Sequence, residues 1–264
     1  MTRNSERPVA LVTGASNGIG YMLAAELARK GFDLVATGRS ENVHTAQTGL
    51  TRLGAHVTAP QADLSTYDGV EKVWQAVEEL GKPVELAALN AGVGLGGAFV
   101  GNDLDEELNL ISLNITSVVH LSKRLATDMT RRGRGRILIT SSISATLPTP
   151  YETVYGPSRA FTRMFALGLR EELRGTGVTV TALMPGATDS DFHARAGMGD
   201  TAFGPDAGKN DKAEVARQGV RALLAGNAEV VAGDRATRRT ALANRFLPEP
   251  RKAAHHARKA KPRE

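Results

Sequence analysis

Val9-Ala10-Leu11-Val12-Thr13-Gly14-Ala15-Ser16-Asn17-Gly18-Ile19-Gly20 is the stretch that decides the fold. Four apolar residues in a row read as a buried strand, and beyond the glycines Met22, Leu23, Leu27 and Ala28 recur at helical spacing. A strand thus runs into a glycine turn, and the turn into the N-terminus of a helix. Such a terminus presents unpaired backbone N–H groups and roughly half a positive charge, which suits a pyrophosphate. Glycines let the backbone approach phosphates closely and let the helix pack on the sheet. Gly14, Gly18 and Gly20 stand four and then two residues apart, unlike the G-x-G-x-x-G fingerprint. A purely structural tight turn is the competing reading. The flanking strand and helix, with the hydroxyls of Thr13 and Ser16, weigh against it.

Working outward, apolar runs at 34–37, 56–59, 86–89, 137–140, 178–183 and 230–232 predict further strands. Amphipathic patterns near 19–30, 42–53, 68–80, 105–131, 153–174 and 211–225 predict helices between them. Alternating strands and helices form βαβ units, so the fold class expected is α/β. It is a doubly wound parallel sheet of about seven strands with helices on both faces. Residues 186–210 hold Gly197, Gly199, Gly204, Pro205 and Gly208 and predict a long loop of functional type. A basic helix over 235–247 follows, ending at Pro248-Glu249-Pro250. The organisation expected is a single domain over 1–233, with a substrate loop at about 186–210, then a basic helix and tail over 234–264.

The 264 residues are 41% hydrophobic and 23% charged, ordinary values for one soluble domain. No run approaches the ~18–20 apolar residues of a membrane span. The polar start Met1 to Arg7 has no secretory pattern, and there is no cysteine for a disulfide or a thiol nucleophile. A cytoplasmic location is expected. The net charge of +5 arises within 251–264, where Arg251, Lys252, Arg258, Lys259, Lys261 and Arg263 face only Glu264. A solvated, frayed terminus accounts for this better than a nucleic-acid groove. His255-His256 on such a tail makes no specific metal site, so neither metal nor nucleic acid is expected.

The second informative constellation is Ser142 with Tyr155. Gly135-Arg136-Ile137-Leu138-Ile139-Thr140-Ser141-Ser142 puts a hydroxyl at the C-terminal end of a strand, the edge where open α/β sheets bind ligands. Tyr155 follows thirteen residues on, at a helix start, and Arg159 lies one turn later on the same face.

With these residues in view, the chain resembles the short-chain dehydrogenase/reductase family over about residues 8–233. Thr13 to Gly20 matches its T-G-x-x-x-G-x-G, Asn90-Ala91-Gly92 its N-A-G, and Pro185-Gly186 the P-G after the sixth strand. Asp63-Leu64 matches the acidic position that meets adenine, and Asn114 the asparagine of the long fourth helix. Ser142 and Tyr155 match the catalytic serine and the tyrosine of Y-x-x-x-K. The resemblance implies a Rossmann-like fold and hydride exchange between a nicotinamide cofactor and a small carbonyl or alcohol substrate. Tyr155 would be the acid or base, Ser142 would steady the substrate oxygen, and Asn114 would hold a water in the proton path. The cofactor would rest on Gly14, Ser16, Asn17, Gly18, Ile19 and Gly20, on Asp63 and Leu64, on Asn90, Ala91 and Gly92, and on Pro185, Gly186 and Thr188. Tyr155 and Arg159 would meet it as well. The resemblance also implies a homodimer or homotetramer, paired through the helix after Tyr155.

One departure is Arg159, where the family has lysine. A free phenol loses its proton near pH ~10, so its use near neutrality needs about 4 kcal/mol of help. A cation ~4 Å away at an effective dielectric near 20 supplies on the order of 4 kcal/mol. Arginine therefore keeps the charge and a fork for ribose hydroxyls, but it cannot release a proton. Catalysis impaired or re-routed is one expectation, and a cofactor-binding sensor or partner without turnover is the other. At the end of the second strand, Gly38-Arg39-Ser40 stands where NAD-selective members place an acid. Arg39 can pair with a 2′-phosphate, which favours NADP(H) over NAD(H), although an ordinary surface arginine is the alternative. Phe192, His193, Met198 and Phe203 on the long loop favour a substrate with some hydrophobic body, His193 being read as a loop residue and not a catalytic one.

Overall fold

The computed structural model of the chain describes residues 7–204 and 208–261. Pro205 of the long loop, Arg263 and Glu264 of the tail, and the polar start before Arg7 lie outside the described residues. Seven strands form one parallel sheet: β1 (Val9–Thr13), β2 (Asp33–Thr37), β3 (Val57–Thr58), β4 (Val84–Leu89), β5 (Gly135–Thr140), β6 (Val178–Pro185) and β7 (Glu229–Ala232). Their order is β3-β2-β1-β4-β5-β6-β7, so the winding reverses between β1 and β4. The helices are α1 (Gly18–Arg29), α2 (Asn42–Thr51), α3 (Tyr67–Glu79), α4 (Leu104–Ile111), α5 (Ser117–Arg132), α6 (Tyr155–Glu172), α7 (Phe192–Arg195), α8 (Lys212–Ala225), α9 (Arg235–Ala243) and α10 (Glu249–Ala260). The expected doubly wound α/β fold is present.

Alternation along each strand sends successive side chains into two separate cores. Leu11, Ile137 and Ile139 pack on one face with Val73 of α3 and Leu121 and Leu125 of α5. Ala10, Val12 and Leu138 pack on the other with Leu23 and Leu27 of α1 and Val220 and Leu223 of α8. Burial on both faces is why these strands read as unbroken apolar runs. No helix among the described residues is long and apolar enough to cross a membrane.

Four elements differ from the sequence reading. The strand expected at 56–59 shrinks to Val57–Thr58, because it is an edge strand and Pro60 has no N–H for the ladder. The helix expected over 105–131 is interrupted by a π-helical turn at Ser112–Thr116. The helix expected over 235–247 ends at Ala243. Finally, the tail expected to be solvated and frayed forms α10, which buries Lys252, His256 and Ala260.

The glycine turn shows why its sequence is constrained. Gly14 adopts φ +67°, and a Cβ there would stand 2.9 Å from the Ala91 Cα. A Cβ at Gly20 would collide with the Gly14 carbonyl oxygen, so α1 seats against the strand end only without a side chain. Gly20→Ala is expected to lower the urea midpoint with an unchanged slope, a loss of about 1–3 kcal/mol, as read by denaturation monitored with circular dichroism.

Candidate active site

The crevice opens where the strand order reverses, at the carboxyl ends of β1 and β4. Thr13 Oγ1 accepts from the backbone N–H groups of Asn90 at 2.9 Å and Ala91 at 3.0 Å. Asn90 Nδ2 donates to the Thr13 carbonyl at 3.3 Å, and Asn90 Oδ1 accepts from Thr140 Oγ1 at 3.2 Å. Three strand ends are thereby tied together at the floor of the crevice.

Along the β1–α1 turn the backbone has the helix-terminus geometry that holds phosphate. Asn17 caps α1 without a side-chain bond to it; its Oδ1 instead accepts from Arg195 Nη2 at 3.4 Å. Ser16 Oγ is buried without a partner and lies where a side chain on Gly38 would be. Arg39, at the end of β2, is exposed, and its carbonyl accepts from Gln61 Nε2 at 3.0 Å. Its guanidinium makes no ion pair among the described residues. A buried hydroxyl without a partner, a position with no side chain and an uncommitted guanidinium together fit a sugar carrying an added phosphate. Asp63 holds Ser65 through its N–H at 3.0 Å and its Oγ at 2.7 Å. Leu64 is buried in the core on one face of the sheet, and Ile19 packs partly against the core on the other.

Asn114 sits in the π-helical turn. Its Oδ1 accepts from Val93 N–H at 2.9 Å, while its Nδ2 donates to the Val93 carbonyl at 2.9 Å and to Ser158 Oγ at 3.0 Å. The irregular turn is thus paired, edge to edge, with the backbone just beyond Gly92. Arg159 reaches into the same place. Its Cζ lies 5.1 Å from the centroid of the Tyr155 ring, and Nη1 donates to the Thr140 carbonyl at 3.2 Å. Nη2 and Asn114 Oδ1 fill the space beside Gly92 where a Cβ would otherwise stand. Arg159 is only 4% exposed, and its Nε has no partner. A buried cation with unmet donors fits an oxygen-rich ligand such as ribose.

Ser142 lies two residues beyond β5 in extended conformation, and its Oγ accepts from Ser144 N–H at 3.1 Å. Ser141 Oγ donates to the Arg159 carbonyl at 2.7 Å, joining that strand end to α6. Tyr155 opens α6 and is buried, with the Phe192 ring centroid 5.4 Å from its own. After Pro185 and Gly186, Thr188 Oγ1 donates to the Gly186 carbonyl at 2.8 Å. Most of the sequence-predicted site residues lie on strand ends, loops or helix starts, whereas Asn114 comes from the π-helical turn between α4 and α5 and Arg159 from within α6.

The sequence reading did not find Asn210. Its Nδ2 donates to the Ala187 carbonyl at 2.8 Å and to Thr237 Oγ1 at 3.0 Å, and its Oδ1 accepts from Asp234 N–H at 2.7 Å. It fixes the base of the long loop to β7 and α9. Only its place in a glycine-rich stretch marked it. Glu152, His256 and Lys252 were missed as well; no local pattern signals them.

With this geometry in place, the relatives carry weight. The sequence profile described as "short chain dehydrogenase" matches residues 8–199. Serine 3-dehydrogenase of Agrobacterium fabrum is 30% identical over 69% of this chain and 72% of its own length. The NADP-dependent 3-hydroxy acid dehydrogenase YdfG of Salmonella typhi is 31% identical over 67% of this chain and 71% of its own. A short-chain dehydrogenase from Sphingobium yanoikuyae, solved in complex with NADPH, superimposes with a TM-score of 0.79 at 28% identity, covering 85% of this chain and 87% of that one. The chain belongs to the short-chain dehydrogenase/reductase family.

On the loop, His193 stacks on Phe203 with centroids 6.0 Å apart and meets Phe192 edge-on at 5.5 Å. Its Nδ1 is buried without a partner. Burial holds its imidazole below the usual histidine range; Glu152 opposes this and Lys209 adds to it. A loosened loop then binds a proton before the docked one does. Docking is at full strength above the free value of about 6.5 and weakens as the pH falls through the depressed one. Limited proteolysis within 192–204 is expected to speed up as the pH drops from about 7.5 to about 5.5, the range spanning a free histidine. His193→Phe should remove that dependence.

Proposed function

We propose that this chain is an NADP(H)-dependent oxidoreductase that interconverts a ketone or aldehyde with an alcohol. The observation that carries the reading is the buried Arg159 guanidinium laid against Tyr155, with donors left for a ligand. The glycine turn from Gly14 to Gly20, with Ser16, Asn17, Gly18 and Ile19, takes the pyrophosphate. Asp63 and Leu64 border the adenine, and Asn90, Ala91 and Gly92 line the floor. Pro185, Gly186 and Thr188 meet the nicotinamide end. Arg39 and Ser16 receive the 2′-phosphate, in keeping with the NADPH of the Sphingobium structure and the NADP named for the Salmonella relative.

When bound, the nicotinamide supplies or accepts the hydride. Tyr155 gives its hydroxyl proton to the carbonyl oxygen in reduction and takes it back in oxidation. Ser142 Oγ donates a hydrogen bond to that oxygen and so stabilises the charge that develops there. Arg159 places a permanent positive charge beside the phenol and holds the ribose with its free N–H groups. It cannot pass a proton onward, so protons leave by a water held near Asn114 and not through position 159. The exposed apolar side chains Leu104 and Leu108 of α4, Val119 of α5, and Phe161 and Met164 of α6 fit a second copy of the chain, making a homodimer or homotetramer.

One experiment separates these statements. NADPH and NADH affinities are measured by fluorescence titration, and oxidation of NADPH is followed against a panel of ketones and aldehydes. Tyr155→Phe is expected to abolish turnover and leave NADPH binding within about twofold, since only the proton donor is lost. Arg39→Ala is expected to weaken NADPH binding by about tenfold, the value of one charge-assisted pair of roughly 1.4 kcal/mol, and to leave NADH unchanged. Equal preference in both proteins would refute the phosphate contact. NADPH binding without turnover, in the native chain and in Arg159→Lys alike, would identify a sensor instead.

A further inference from the structure

Helix α10 lies beyond the residues that the family profile spans. Its buried residues, Lys252, His256 and Ala260, are spaced by four and share one face. Each meets a different part of the surroundings of the site. Lys252 Nζ donates to the carbonyls of Thr146 and Asn244, both at 3.1 Å, and to the Glu249 carboxylate at 2.5 Å. Thr146 closes the 3₁₀ turn after Ser142, and its hydroxyl accepts from Asn244 Nδ2 at 2.9 Å. His256 Nε2 lies 3.0 Å from Glu152 Oε2, with both side chains more than nine-tenths buried. Ala260 packs with Ala196 and Met198, and the Lys259 carbonyl accepts from Ala202 N–H at 2.9 Å.

Glu152 stands three residues before Tyr155, and its carbonyl accepts from Gly156 N–H at 3.1 Å in the first turn of α6. Just before it, Tyr151 has φ +66°, the only non-glycine among the described residues in the left-handed region. Side chains rarely adopt such a backbone, and it persists where its surroundings over-determine it. Rings connect the two ends of this region: Tyr155 to Phe192, Phe192 to His193, His193 to Phe203, and Phe203 to His256 at 5.6 Å.

We propose that α10 braces the segment carrying Ser142 and Tyr155, with Lys252 and His256 as positioning residues that act through Thr146 and Glu152. This rests on the reading that Ser142 and Tyr155 carry the chemistry. Lys252 fixes the end of the segment near the serine, and His256 the end near the tyrosine. Removing His256 leaves the Glu152 carboxylate buried and unpaired, which drives the strained turn at Tyr151 to rearrange. None of the residues named above for Lys252 and His256 is among those proposed to hold the cofactor, so binding and turnover respond separately.

The test compares His256→Leu with His256→Gln, whose amide N–H replaces Nε2–H toward Glu152. A carbonyl substrate found by screening the native chain provides kcat and KM, fluorescence provides NADPH affinity, and hydrogen exchange reports on residues 147–156. His256→Leu is expected to lower kcat by about tenfold to a hundredfold, since misplacement on the order of 1 Å has that effect. It should leave NADPH affinity within about twofold and speed exchange across 147–156. His256→Gln should recover most of kcat and of the protection. Glu152→Leu, which leaves no partner for His256, should show the same split and serves if His256→Leu does not fold. Native kcat in His256→Leu, unchanged exchange across 147–156, or no recovery in His256→Gln would each overturn the brace. If Tyr155→Phe retains turnover, it is the acid–base reading that fails, and the exchange result still judges the brace.

Discussion

The Thr13 hydroxyl, accepting from two consecutive backbone N–H groups of the β4 end, is the contact on which the rest of the site depends. Where a doubly wound sheet reverses, neighbouring strands diverge and their last amides lose ladder partners. A buried amide left unpaired costs about 1–3 kcal/mol, so a crevice at this point needs another acceptor. Thr13 supplies it from within β1, and Gly14, without a side chain, lets Ala91 close to contact distance. The same linkage continues through Asn90 to Thr140, so the end of β5 and the serine after it are placed relative to the glycine turn. The glycine turn and the end of β5 are thus set relative to each other by one short chain of hydrogen bonds.

Arg159 is the second fixed point. Buried cations are ordinarily matched by carboxylates, yet here the neighbours are the Thr140 carbonyl, the Asn114 amide and the face of Tyr155. The backbone beneath it is also held, its carbonyl accepting from both Ser141 Oγ and Thr162 Oγ1. The guanidinium itself is tied to the end of β5 by the one bond from Nη1 to the Thr140 carbonyl. What arginine changes in this family's arrangement is the supply of exchangeable protons; the charge itself stays. On the proposed reading the proton path runs by Asn114 and water, and the pairing of Asn114 with Val93 fixes that side chain.

Most of the sheet was legible because residues such as Leu11, Leu138 and Ile139 are buried from both sides and leave runs that no surface strand has. The glycine turn, Asn90, Ser142 and Tyr155 could be picked out as candidates because residues of their kind stand at fixed places along such a sheet, and the fold gathers them at its carboxyl edge. The break at Asn114 was not, since helical periodicity runs through 112–116 and the cause is Val93, 21 residues away. Nor was α10. Its buried face carries a lysine and a histidine with one alanine, which reads as a solvated surface. Those side chains are buried because their partners, Thr146 and Glu152, stand 106 and 104 residues earlier. Hydrophobic pattern reports what a segment does with its immediate neighbours and is silent on a distant carboxylate.

The long loop shows how a stiff root and a looser tip can share one segment. At the root, Asn210 and Thr188 join the chain after β6 to β7 and α9 by several hydrogen bonds between backbone and side chain. At the tip, ring contacts link Phe192, His193 and Phe203, backbone bonds from Gly96 to Ala196 and from Ala202 to Lys259 flank them, and Phe192 lies against Tyr155 and the backbone at Gly94. Ring contacts are non-directional and tolerate sliding, whereas the root bonds do not. On the proposed reading, a substrate approaching Tyr155 meets the Phe192 ring, whereas the hydrogen-bonded root lies away from that path. An apolar substrate body can replace the rings it moves, regaining much of the burial that opening loses; a fully polar one cannot. On the proposed reading, a preference for a hydrophobic substrate would follow from the work of opening as well as from the lining.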